Sequence, residues 1–171
     1  MMKNFNAFIV GDKMKIFLLF ILVVMIMLIA KGVANQYKER NKFFVSVMSF
    51  LNMYELNIGF KKEKIKDLIE KLNVNGSAKI LFSRYNDFLS TNANLNLEEI
   101  KILTDEEKDF ISNTFKSIGT SDYSNEMTQL KVFKGYIQEK IDLTSKDSSK
   151  NYPLIIKLSF LFSLGLALIF I

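Results

Sequence analysis

The chain has 171 residues, one domain's worth, and contains neither Cys nor His. Without Cys it has no disulfide, thiol nucleophile, iron–sulfur ligand or Cys-linked lipid anchor, and without His it lacks the usual general base and the commonest metal ligand. The formal charge is +5, but residues 32–152 hold 18 Lys/Arg against 17 Asp/Glu. The basic excess therefore lies beside the hydrophobic ends, which speaks for membrane flanks and against a nucleic-acid footprint.

Residues 1–13 are polar to mildly apolar and show no clear element. They read as an N-terminal extension, with Met14 as the expected true start. Ile16 to Ala30 is an unbroken apolar run bracketed by Lys15 and Lys31. At 1.5 Å per residue it spans roughly 22 Å, and Gly32, Val33 and Ala34 lengthen it toward the ~30 Å of a hydrocarbon core. Residues 14–34 are thus a transmembrane helix. A cleaved signal peptide is the rival reading. Lys31 beside the would-be cleavage site and a second hydrophobic segment at the far end favour the uncleaved anchor.

No breaker follows Ala34. Phe44, Val47, Met48, Leu51, Tyr54 and Ile58 keep the helical period, so the first helix is expected to run on to about Gly59. Glu55 sits at the edge of that stripe. Lys61 to Asn73 reads as a short amphipathic helix with Ile65, Leu68, Ile69 and Leu72 inward. Its outer face carries Lys61, Lys62, Lys64 and Lys66. That face is either a solvated surface with i,i+4 pairs or a docking patch for an acidic partner or anionic headgroups. Asn75-Gly76 marks a turn and Ser77 offers a cap to the next helix, whose Ile80, Leu81, Phe82, Tyr85, Phe88 and Leu89 are candidate core. A polar loop over 92–96 and a further helical turn or two over Leu97 to Leu103 complete this part.

Thr104 to Ile141 reads as a helical hairpin. Thr104 with Glu107 forms a capping box. Asp105 and Glu106 place negative charge at the positive end of the helix dipole, which accounts for the local carboxylate cluster without metal or acid–base chemistry. Phe110, Ile111, Phe115 and Ile118 make an apolar stripe. Gly119 closes the helix in a left-handed conformation, and Thr120, Ser121 and Asp122 offer a new N-cap. Met127, Leu130, Phe133, Ile137 and Ile141 form the second arm. The chain turns Ser- and Lys-rich from Asp142 to Tyr152. Pro153 fits the first turn of a new helix, and residues 153–171 are a second transmembrane helix with Lys157 near its start. Ser159, Ser163 and Ala167 give it one small face, suited either to this chain's own first helix, where Ala30 and Ala34 are also four apart, or to another membrane protein. Lys146, Lys150 and Lys157, with Lys31, Lys38, Arg40 and Lys42, place residues 35–152 in the cytoplasm by the positive-inside rule, both termini lying across the membrane. No phosphate-binding glycine loop and no Ser–His pairing occur, so no enzyme, cofactor or metal is expected.

An acid-rich capped helix, a Gly119-x-x-Asp122 turn and a long polar helix feeding a hydrophobic C-terminus resemble stage III sporulation protein AB. The likeness covers Met14 to Ile171 and is strongest over Leu103 to Leu130 and in the final hydrophobic segment. The residues that carry it are Glu55, Gly59, Gly119, Asp122 and Leu130, with Glu126 where the family tends to have Gln, and Phe60-Lys61 where it commonly has Thr-Pro. The resemblance implies a component of a membrane complex joining mother cell and forespore, similar to the inner-membrane platform proteins of type II secretion. It implies partners as well: a secretion-type ATPase like stage III sporulation protein AA, other membrane subunits, the lipid bilayer and self-association.

The expected fold is therefore all-α, a cytoplasmic bundle of about six helices flanked by two transmembrane helices, with no nucleic-acid partner. Thr104, Glu107, Gly119 and Asp122 are its structural hairpin residues. Lys61, Lys62, Lys64 and Lys66 are the candidate partner-binding residues. Ser159, Ser163 and Ala167 are the candidates for packing within the membrane. The alternative function is a generic two-span tether or regulator whose helical domain self-associates.

Overall fold

The computed structural model describes residues 2–58, 64–91 and 94–170, and every regular element among them is helical. There are five helices: α1 (Met2–Leu56), α2 (Ile65–Glu70), α3 (Ser77–Thr91), α4 (Asp105–Ser117) and α5 (Tyr123–Phe170). They fall into two compact units, Lys38–Lys146 and Met1–Tyr37 with Asp147–Ile171.

The count is five where the sequence suggested about six. Leu97 to Leu103 is not a helix but two successive tight turns, closed by bonds from Ile100 N–H to the Leu97 carbonyl and from Leu103 N–H to the Ile100 carbonyl. Turning every three residues puts Leu97, Ile100 and Leu103 all inward, where they are buried. Asn96 holds the first turn by accepting from Glu98 N–H at 2.7 Å. The α2 helix is shorter than its apolar pattern suggests, six residues, and its N-cap Lys64 provides no side-chain cap. Two boundaries move outward. The α1 helix starts at Met2, within the stretch expected to lack an element. Pro153 lies inside α5 rather than opening a new helix. A proline removes one helical hydrogen bond and crowds the preceding turn. Pro153 is solvent-exposed, so the carbonyl it frees is not stranded in a core.

The Lys38–Lys146 unit is built around rings. Phe50 of α1 stacks on Phe115 of α4 at 5.5 Å between centroids and lies 5.3 Å from Phe82 of α3. Tyr85 meets Phe115 edge-on at 4.8 Å, and Phe133 of α5 meets it edge-on at 5.9 Å. Phe115 thus touches α1, α3 and α5 at once. Edge-to-face and offset contacts of this kind add about 0.5–1.5 kcal/mol each beyond the area they bury. Val47, Leu51, Leu81, Ile111 and Ile137 fill the rest of the core.

In the other unit, the apolar halves of α1 and α5 are each long and apolar enough to cross a membrane. Most of their large side chains point outward, among them Phe17, Phe20, Leu28, Phe162 and Leu168. Among the described side chains of this unit, Ala34 and Ser163 are the buried ones.

Candidate functional site

The hairpin that the sequence marks out holds two buried carboxylates, and each joins several helices. At the start of α4, Thr104 accepts from Glu107 N–H at 3.3 Å while Glu107 accepts from Thr104 N–H at 3.0 Å. The Glu107 carboxylate also does more than cap. Arg40 of α1 reaches both its oxygens, at 2.8 and 3.0 Å, and Lys140 of α5 approaches at 3.2 Å. Burial by itself would raise the Glu107 carboxyl; the Thr104 N–H, Arg40 and Lys140 outweigh it and hold it below the ordinary carboxylate range. Burial works against the Lys140 charge in turn, and the bond to Glu107 carries its ammonium above its ordinary value.

The second junction lies at the other end of α4. Gly119 takes φ +80°, where an L side chain is strained. Its N–H donates to Glu126 at 2.8 Å, and Tyr54 of α1 donates to the same oxygen at 2.9 Å. Asp122 caps α5 by accepting from Asn125 N–H at 3.0 Å. Glu126 is buried, and Tyr85 beside it is fully buried. Burial first, then Glu126, pushes the Tyr54 and Tyr85 hydroxyls well above the ordinary phenol range, so both stay protonated.

Two more carboxylates of α1 hold neighbours. Glu39 accepts from Ser77 N–H at 2.8 Å, capping α3 from outside, so the cap comes from α1 and not from the Ser77 hydroxyl. Glu55 pairs with Lys134 of α5 at 2.6 Å, both side chains partly exposed. Sequence reasoning placed Thr104, Glu107, Gly119 and Asp122 but not Arg40, Lys140, Glu39 or Tyr54. The only local signal for these is a charged or hydroxyl group at the border of an apolar stripe, as Glu55 and Tyr54 show.

Of the candidate docking lysines, Lys64 is exposed, and Lys66 donates to Ser90 of α3 at 2.6 Å, which ties α2 to its neighbour. Gly59, Lys61 and Lys62 lie outside the described residues. In α5, Ser163 is buried, with Ser159 and Ala167 half-buried on either side. The Ser159 and Ser163 hydroxyls bond to carbonyls of their own helix, Ile156 and Ser159.

The family model described as stage III sporulation protein AB matches residues 15–171. The chain belongs to the stage III sporulation protein AB family. Neither a curated protein nor a solved structure matches it. Membership assigns the chain to sporulation, in a family that is not one of known enzymes. Together with the two candidate spans it makes this a membrane protein. Among the described residues no cluster of three carboxylates offers a metal site.

Proposed function

We propose that this stage III sporulation protein AB acts as a non-catalytic platform subunit of a secretion-like complex between mother cell and forespore. In this reading the Lys38–Lys146 unit faces the mother-cell cytoplasm and docks a secretion-type ATPase. The observation that carries it is a helical unit with its own aromatic core, held by buried carboxylate junctions, in a chain with two candidate membrane spans. In this reading, what the unit offers a partner is a rigid surface. The Lys61, Lys62, Lys64 and Lys66 face is the proposed contact, motivated by its charge, with an acidic surface on the ATPase as its complement.

Two experiments test this. The chain has no Cys, so single cysteines can be introduced into an otherwise unreactive background. Lys131→Cys is expected to be shielded from an impermeant maleimide in intact cells and labelled after permeabilisation; labelling in intact cells would reverse the topology. A secretion-type ATPase from the same cells is expected to co-purify with the full chain in detergent, and the triple change K62E/K64E/K66E to abolish this. Co-purification that survives the triple change removes the lysine face from the proposal. Failure of the unsubstituted chain to retain the ATPase removes the docking role.

A further inference from the structure

The apolar unit has an open groove of about 740 Å³, walled by Ile26 of α1 and by Leu158, Phe162, Gly165 and Ile169 of α5. Gly165 lines it, and a Cβ built there meets nothing within 4 Å, which leaves room for a side chain to extend into the groove. From Leu158 to Ile169 the groove follows α5 for about 16 Å, roughly half of a hydrocarbon core of about 30 Å, which is the depth one leaflet's acyl chains occupy.

The end of the groove at Leu158 is charged. Lys157 is exposed, and it lies one helical turn before Leu161, another residue of the groove wall, on the same side of α5. Nothing in the neighbouring sequence neutralises it. No Asp or Glu occurs between Ser148 and Ile171 or between Lys13 and Lys38. A lysine at the head of an apolar span extends its ammonium to the boundary with the headgroups, where an unmatched cation is attracted to phosphate. A docked helix would cover the apolar wall but leave this charge unmatched. A phospholipid satisfies both parts at once.

We propose that this groove binds one acyl chain of an anionic phospholipid whose phosphate sits on Lys157. The site is made by this chain alone and is separate from the lysine face offered to the ATPase, so it does not depend on the docking role.

The test is native mass spectrometry of the full chain released from detergent, titrated with dioleoyl phosphatidylglycerol or dioleoyl phosphatidylcholine. One phosphatidylglycerol is expected to stay bound, about fivefold tighter than phosphatidylcholine, the factor one interfacial lysine contributes. Lys157→Gln, an exposed change that leaves packing alone, is expected to erase that preference. Gly165→Leu, which fills the groove, is expected to reduce retention of both lipids, and Lys131→Gln to bind as the unsubstituted chain does. Equal retention of the two lipids overturns the proposal, as does an undiminished preference in Lys157→Gln. A lipid-free dimer that Gly165→Leu dissociates also overturns it, by giving the groove to a second copy.

Discussion

Arg40 and Glu107, 67 residues apart in the chain, form a two-point ion pair in which Arg40 is about one-third exposed and Glu107 is almost fully enclosed. With Lys140 on the same carboxylate, α1, α4 and α5 meet at one anion. Removing one member of a buried pair costs about 3–5 kcal/mol when the rest stays buried. Arg40 and Lys140 can turn partly to water, so Glu107→Ala is expected near the bottom of that range. Glu107→Gln, which keeps an acceptor for Thr104, is expected to cost about half as much. Thermal unfolding of the full chain in detergent, followed by circular dichroism, checks the order.

The same junction sets an acid limit. The Glu107 carboxyl lies below its ordinary value of 4.5 in the folded chain. Its contribution to stability is therefore complete above that pH and is lost as pH falls through the folded value. Lys140 has the opposite sign: its ammonium is raised from 10.5, so its contribution is complete below that pH and is lost as pH rises through the folded value. Denaturant midpoints measured from pH 3 to 6 are expected to fall toward acid, with a shallower slope in Glu107→Gln. An unchanged slope would remove Glu107 from the acid response.

The two tyrosines near Glu126 are expected to differ. Tyr54 donates to Glu126, whereas the Tyr85 hydroxyl is buried with no hydrogen-bond partner among the described residues. Tyr54→Phe takes a donor from a buried carboxylate and is expected to cost about 1–3 kcal/mol. Tyr85→Phe removes an unsatisfied group and is expected to be neutral or stabilising. Urea unfolding of the two variants side by side decides the matter.

Gly76 and Gly119, both left-handed, are expected to differ too. At Gly119, φ +80°, an added Cβ makes ordinary contact with Ile65 at 3.4 Å, so Gly119→Ala carries backbone strain alone, about 1–2 kcal/mol. At Gly76, φ +60°, the Cβ would land on the Glu39 carboxylate and force it off Ser77 N–H. Gly76→Ala is expected to cost the strain plus a lost cap of about 1 kcal/mol. Glu39→Ala should then add little in the Gly76→Ala background, although it destabilises the otherwise unchanged chain. A double-mutant cycle reads this directly.

Much of the fold is local and was legible. Runs of apolar residues at helical spacing mark α1, α3, α4 and α5, because a helix is held by bonds four residues apart and its inward face recurs with the same period. The Thr104–Glu107 capping box and the left-handed Gly119 are also local, since each is completed within a few residues. Leu97 to Leu103 misled because inward residues three apart suit a helix and a pair of turns alike, and the hydrogen bonds of the Asn96 side chain and the two turns select the turns. Pro153 misled because a proline removes only one bond from a long helix, and the bonds on either side can carry the helix through.

By itself, the sequence determined an all-helical chain with two apolar segments long enough to span a bilayer, no Cys or His chemistry, and a capped hairpin between them. The tertiary structure alone decided which charges meet. Arg40, Lys140 and Glu107, or Tyr54 and Glu126, are joined by packing between helices distant in sequence. Burial strengthens these contacts by removing water, and neither the partner nor the burial leaves a periodic mark in the chain.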